Sequence, residues 1–409
     1  MKKLVSFLAL LCLGFTALAC PVSAAAQNIG GTPMVFVHGL AGWGNGTNLN
    51  NTLPYWGTTA GDIMAYLNTQ GYRSYAASVS PVSSAWDRAC ELYAHLTGTR
   101  TDYGEAHANA HSHDRFGPTY EKLGPDWPNE SIHLIGHSFG GATIRLFTQL
   151  CAEGSTAERA ATPQGELSRL FSGKLGGSIV SVITLTAPHN GTTALSEPIR
   201  GVNVTAIEVA LYNLAGISAL SPSFAAFYPF YLQQFGIARG AGPAGFIQNF
   251  AGFDQTTDSA QYDLSVDGAQ EVNRGIRCQP DIYYFSYAAD VTRENKAGER
   301  VPLTRTNLLI AECSLRMGQK RDPVTTPGGI TLDDGWLPND GLVNTISALY
   351  PFREPHQVYS EKTIRPGIWQ VMPVIAGWDH LDFCGGMRPG GTKGVKEFYH
   401  GLAQMLGAL

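Results

Sequence analysis

Apolar residues along the chain fall into two rhythms. Short, nearly unbroken apolar runs occur at Pro33–Gly39, Tyr72–Val79, Ile132–Ile135, Ser178–Thr186 and Ile282–Tyr287. Rich in β-branched and aromatic residues and bounded by turn formers, they predict strands buried on both faces. Between them, Gly61–Thr69, Trp86–Leu96, Ala142–Leu150 and Val395–Leu406 carry apolar residues at helical spacing, which predicts helices with one buried face. Strands alternating with helices predict an α/β protein with a mainly parallel central sheet flanked by helices. The rhythm breaks at Val202–Phe235, where Ile207, Leu211, Leu214 and Leu220 precede Phe224, Phe227, Tyr228, Phe230, Tyr231 and Phe235, with few charges. That density suits either a helical lid whose apolar side meets lipid or a pair of capping helices packed on the core.

The first residues read differently. Lys2 and Lys3 precede an apolar stretch from Leu4 to Ala19, and Ala24-Ala25-Ala26 follows. This predicts a secretory signal peptide over residues 1–26, hence an exported protein whose residues 27–409 form one domain. Lipid anchoring at Cys20 is the lesser alternative, because Ala17 stands where a lipobox has a branched aliphatic residue. No later stretch is apolar for long enough to cross a membrane, so a transmembrane protein is not expected. The 409 residues are 44% hydrophobic and 15% charged, with a net charge of −5 and no long basic run. That excludes nucleic acid as a partner and leaves a globular chain, expected to be a monomer. Beyond the leader stand Cys90, Cys151, Cys278, Cys313 and Cys384. An odd count leaves at least one thiol outside any intrachain pair, with Cys278–Cys313 the pairing considered.

Candidate chemistry centres on Gly136-His137-Ser138-Phe139-Gly140, set between the run ending at Ile135 and the helix predicted from Ala142. A serine on a tight strand-to-helix turn needs small flanking residues, and the turn presents its hydroxyl at the sheet edge as a nucleophile. Such a serine requires a base, and the base a carboxylate, in the chain order Ser, acid, His of α/β-hydrolases. His380, just after the apolar run Val371–Ala376, is the stronger candidate base, with His356 the alternative. His189 comes too early, and His400 lies inside the last predicted helix. For the acid, Asp340 is favoured because Gly341 lets its loop turn tightly, and Asp333 and Asp334 remain open. An oxyanion hole would take one N–H from Phe139 and one from Leu40, in the loop after the first strand.

A second cluster lies at Glu105–Asp114, where His107, His111 and His113 fall within seven residues. Neutral imidazoles with nearby carboxylates are ordinary metal ligands, and a solvated polar loop is the alternative.

Taken together, these stretches resemble the secreted true lipases of thermophilic bacilli and their staphylococcal relatives. The likeness runs from about Pro33 to Leu406. It is carried by His38-Gly39 with Gly42-Trp43-Gly44, by Tyr55-Trp56-Gly57 and by Ser84–Glu91. Asp102-Tyr103-Gly104, Arg115-Phe116-Gly117, Thr257–Ser265 and Asn339–Asn344 complete the set. The resemblance implies an α/β-hydrolase fold with a metal-binding insertion over about 85–117 and a lid over about 202–236. It also implies a structural Zn²⁺ held by Asp87, His107, His113 and Asp258, with His111 a bystander, and a triad of Ser138, Asp340 and His380. Three departures stand out. Gly136 replaces a frequent alanine. Leu40 and Phe139 stand where relatives commonly carry Phe and Gln, which puts acyl preference in doubt. Asp382 and Met387-Arg388 stand where relatives have calcium-binding acids, so the relatives' Ca²⁺ site is expected to be lost. The function implied is a secreted carboxylic-ester hydrolase of the triacylglycerol lipase type, acting on lipid or ester substrate at an oil–water or polymer interface. The alternatives are an esterase or polyesterase for short-chain or polymeric aliphatic esters, a metallohydrolase using the histidine-rich loop, and a non-catalytic lipid-binding protein.

Overall fold

The computed structural model describes residues 31–195, 256–386 and 393–409. The predicted signal peptide (1–26, with Cys20), the lid (202–236) and Met387-Arg388 lie outside the described residues.

The central sheet is built from β1 (Met34–Val37), β2 (Ser74–Ala77), β3 (Ile132–His137), β4 (Ile179–Leu185), β5 (Tyr283–Tyr287), β6 (His356–Val358) and β7 (Trp369–Val371). They lie in the order β6-β7-β5-β4-β3-β1-β2, and every neighbouring pair is parallel. Among the flanking helices are α1 (Ile63–Thr69), α2 (Ala85–Thr97), α3 (Glu105–His111), α4 (Phe139–Glu153) and α5 (Lys393–Leu406). Successive side chains of a strand point to opposite faces, and both faces are covered. Val35, Val37, Leu134 and Val182 pack with Leu92 of α2 and Ile144 and Phe147 of α4. Phe36, Ile135, Ile183 and Phe285 pack with Ile63 and Leu67 of α1 and Tyr399 and Leu402 of α5. Two-sided burial is why these strands read as continuous apolar runs rather than as alternation.

Two differences from the sequence reading have clear causes. Helix α4 begins at Phe139, three residues before the predicted start, because Gly140 and Gly141 open it. Glycine is a poor helix former, but a Cβ on Gly140 would lie 2.2 Å from the Val37 carbonyl oxygen. Close approach of helix to strand therefore outweighs propensity. The edge strand β6 was not anticipated, since His356 and Val358 are exposed and a half-solvated strand leaves no apolar run.

The predicted insertion takes a definite form. Arg100–Asp102 pairs antiparallel with Phe116–Thr119, and α3 lies between the two segments. Glycine at 104, with φ of 95°, lets the Glu158 carboxylate reach the open end of α3, where Oε2 and Oε1 accept the Ala106 and His107 amides at 3.0 and 2.8 Å. A Cβ at 104 would lie 2.3 Å from that carboxylate carbon. The Cys278–Cys313 pairing is not formed, and the described residues contain no disulfide. The Cys313 sulfur instead lies 3.8 Å from that of Met317. Among the described residues no helix is long and apolar enough to cross a membrane.

Candidate active site and metal centre

Ser138 caps α4 with φ 55° and ψ −128°, a backbone conformation that side chains rarely adopt. Its amide donates to the Leu185 carbonyl at 2.9 Å. A Cβ on Gly136 would lie 2.5 Å from the Gly140 carbonyl oxygen, so a side chain there requires the elbow backbone to shift. The turn delivers Ser138 to the floor of a cleft of about 380 Å³, where His380 also lines the wall. Leu40, Trp43, Leu195, Leu264, Leu309 and Leu342 make the remaining wall strongly apolar.

His380 and Asp340 meet as the chain order required. His380 Nδ1 donates to Asp340 Oδ2 at 2.9 Å, and the His380 amide donates to the Asp340 carbonyl at 2.8 Å. With Nδ1 as donor, the neutral ring keeps its lone pair on Nε2. Asp340 is fully buried, and its Oδ1 accepts the Leu342 and Val343 amides at 3.0 and 2.7 Å. A further donor to Oδ2 is the Thr186 hydroxyl. Thr186 itself has φ 45°, a strained backbone just past β4. The sequence reading gave Thr186 no role, although its place at the end of a core strand beside Pro188-His189 was a usable signal.

The competing candidates are occupied elsewhere. Asp333 Oδ1 accepts the Gly335 amide, and Asp334 pairs with Lys320 at 3.1 Å. His356 is exposed and stacks on Tyr350, and the His400 ring packs edge-on to Tyr72.

The loop after β1 is held from two sides. On one side the buried Arg88 of α2 donates to the His38, Ser80 and Gly39 carbonyls at 2.5, 2.7 and 3.5 Å, and through Nε to Thr143 of α4 at 2.9 Å. Its guanidinium lies 4.8 Å from the centre of the Phe139 ring, so that ring packs beneath α2. On the other side, the Gly39 amide donates to the Tyr55 hydroxyl at 3.0 Å. That hydroxyl lies 2.7 Å from His137 Nδ1, and His137 Nε2 lies 3.0 Å from the His380 carbonyl. A carbonyl only accepts, so Nε2 carries the proton, Nδ1 accepts, and the Tyr55 hydroxyl donates to it. Burial, reinforced by His380, pushes His137 well below the usual histidine range, which keeps it neutral. The chain Gly39–Tyr55–His137–His380 thus ties the loop bearing Leu40 to the backbone of the histidine. Leu40 lies on this loop and lines the cleft, and Phe139 is the first residue of α4, where its amide has no intrahelical acceptor.

The second cluster also assembles. Asp87, His107, His113 and Asp258 offer one donor atom each, all within 4.8 Å of one another, and His111 is not among them. His107 Nε2 is 3.2 Å from Asp87 Oδ1 and 3.3 Å from Asp258 Oδ1, and His113 Nε2 is 3.2 Å from Asp258 Oδ2. Both imidazole nitrogens are buried without hydrogen-bond geometry to any partner. Donors about 2.05 Å from one ion at tetrahedral angles stand about 3.3 Å apart, so these side chains suit a small tetrahedral cation. His113 Nδ1 donates to the Asp114 carbonyl at 2.9 Å, leaving Nε2 as the ligand nitrogen. Burial and Asp258 push Asp87 up, and the two carboxylates, against burial, drive His107 up to about 9. Asp382, where a calcium ligand was expected to be lost, accepts the Asp379 amide through Oδ2 at 2.7 Å.

Known proteins share this architecture. A family profile described as "Lipase-like, C-terminal domain" matches residues 30–407. The Staphylococcus hyicus lipase is 35% identical over 392 residues, covering 91% of this chain and 57% of that protein. The chain therefore spans little more than half the length of the curated relatives it matches. The crystal structure of S. hyicus lipase superposes with a TM-score of 0.81 at 32% identity, covering 96% of this chain and 98% of the other. EstA from Clostridium botulinum gives 0.80 at 34%, covering 96% and 92%. Lipase 1 from Pelosinus fermentans gives 0.74 at 35%, covering 94% and 100%. A seven-stranded parallel sheet, a strained serine elbow and a match over nearly the whole described chain place this protein in the lipase-like C-terminal domain family, with the α/β-hydrolase fold.

Proposed function

We propose that this protein is a secreted, monomeric carboxylic-ester hydrolase of the triacylglycerol lipase type. The observation that carries the reading is the meeting of Ser138 with the Asp340-anchored His380 in one apolar cleft. Ser138 Oγ attacks the ester carbonyl carbon while His380 Nε2 takes its proton. The N–H groups of Leu40 and Phe139 bind the oxyanion, and collapse of the tetrahedral adduct expels the alcohol, which leaves with the His380 proton. Water then repeats the sequence on the acyl-enzyme, with His380 as base and Asp340 holding it throughout. Leu40, Trp43 and the leucines around the cleft supply apolar contact for an acyl chain.

The metal we assign to Asp87, His107, His113 and Asp258 is Zn²⁺. Four protein ligands fill a tetrahedral shell and leave no position for a reactive water, which favours a structural ion over a metallohydrolase. When bound, it neutralises the two buried carboxylates and locks the insertion onto the loop before Ala260. No calcium is expected at Asp382.

Hydrolysis of p-nitrophenyl esters from short to long acyl chains, in wild type and Ser138→Ala, tests the reading. Long-chain turnover that vanishes in the variant, by about a million-fold, is the expected result. Activity confined to short chains would move the assignment to an esterase or polyesterase. Turnover surviving in the variant would overturn the serine mechanism.

A further inference from the structure

A second cavity lies apart from the ester cleft and has the opposite character. It encloses about 400 Å³ and is lined by Arg145, Gln270, Arg274, Arg277, Arg353 and Glu354 among others. Two of these are buried donors. Arg145 is 3% exposed and Gln270 5%. Arg145 Nη1 donates to Asn273 Oδ1 at 2.9 Å, but Arg145 Nη2 and Gln270 Nε2 are both buried with no hydrogen-bond partner. An unmet buried donor, and above all a cationic one, is costly. The charge around them is one-sided. Four arginines against Glu354 leave +3, and pairing of Arg277 with Glu153 at 2.6 Å reduces this to +2. Glu354 is itself partly engaged, accepting the Cys278 amide at 2.8 Å. Burial depresses the Arg145 pKa, with Glu354 the chief opposing charge.

The group that fits accepts hydrogen bonds without donating them, carries negative charge and matches the fork of a guanidinium. We propose that this cavity binds a small oxyanion of the phosphate or carboxylate type, held by Arg274 and Arg353 over the buried positive charge of Arg145. A cation is excluded by the excess positive charge. A neutral apolar ligand would leave that charge unanswered. The ester cleft contributes none of these residues, so the site stands independently of the hydrolytic reading.

Isothermal titration calorimetry of the full-length protein with inorganic phosphate, and separately with acetate, tests this at constant ionic strength, which holds general screening fixed. Wild type is expected to show one saturable site. The exposed pair Arg274→Gln and Arg353→Gln should bind at least about tenfold more weakly with an unchanged melting temperature, since each loses a charge-assisted contact. Saturation by phosphate alone assigns a tetrahedral oxyanion, and equal saturation by acetate assigns a carboxylate. No saturable heat with either anion, as when water alone fills the cavity, overturns the proposal, and so does an unchanged affinity in the double variant.

Discussion

Replacing Tyr55 with phenylalanine removes one oxygen from the middle of the chain that joins Gly39 to His380. The ring stays, so its edge contacts with Trp43 and Trp56 survive. The loss falls on two buried groups: the Gly39 amide, now without its 3.0 Å acceptor, and His137 Nδ1, without its 2.7 Å donor. An unsatisfied buried group costs about 1–3 kcal/mol, so two of them suggest about 2–6 kcal/mol. The Cys384 sulfur lies 3.4 Å from His137 Nδ1 and offers a weak replacement donor, which brings the expectation to about 2–3 kcal/mol. Part of that cost should appear in catalysis. The Gly39 amide precedes Leu40, and its release frees the loop to move by a fraction of an ångström, enough to weaken oxyanion stabilisation by about tenfold to a hundredfold. The assay is hydrolysis of p-nitrophenyl butyrate alongside urea unfolding. The expected outcome is a fall in kcat with KM nearly unchanged, together with a lower urea midpoint. A variant that keeps both rate and midpoint would show that the chain positions nothing. A raised KM at constant kcat would place Tyr55 in substrate binding instead.

Four further outcomes are expected. Asp340→Asn should lower kcat by about 10,000-fold with little loss of folded protein by circular dichroism, because His380 loses the acceptor that sets its tautomer. Thr186→Val removes one donor from Asp340 Oδ2 while keeping size and branching. It should reduce kcat by about tenfold, read from the same ester assay, with the acyl-chain preference unchanged. Stripping the metal with a chelator, or Asp258→Asn, breaks the buried ionic cluster that ties the insertion to Asp258, at about 3–5 kcal/mol. The melting temperature should then fall by on the order of 10 °C and recover on adding Zn²⁺ to the chelated wild type but not on adding Ca²⁺. The last concerns pH. Burial pushes the Glu91 carboxyl up to about 8, against hydrogen bonds from the Ser80 amide and the Tyr103 hydroxyl. Its folded pKa exceeds its unfolded one, so its contribution is fully present below about 4.5 and is lost as pH rises through about 8. Urea titrations at pH 5 and pH 9 should show a smaller loss in Glu91→Gln than in wild type, and equal losses would refute the assignment.

Much of the molecule was legible in one dimension. Five core strands announced themselves because burial on both faces demands unbroken apolar runs, and the serine elbow because small residues around Ser138 let strand and helix approach closely. The order Ser138, Asp340, His380 and the histidines of α3 with His113 were likewise readable, since chemistry restricts which residue types serve. The metal set needed the family likeness: nothing local links Asp258 to Asp87, which lies 171 positions earlier.

What the sequence could not express was which partners long separations bring together. Arg88 had no role of its own in the sequence reading, yet it is buried and grips the loop after β1. Tyr55 stood in a recognisable motif and Thr186 at the end of a core strand, but neither position told its role, because a single hydroxyl acts only on what stands within about 3 Å of it. The gathering of Arg145, Arg274 and Arg353 around one cavity is invisible for the same reason. Sequence by itself determined the strands, the elbow and the reactive residue types, because backbone sterics and burial act over a few neighbouring positions. Tertiary structure alone decided the hydrogen-bond chain to His380, the clamp on the loop after β1 and the arginine-lined cavity, because hydrogen bonds are short-ranged in space and indifferent to distance along the chain.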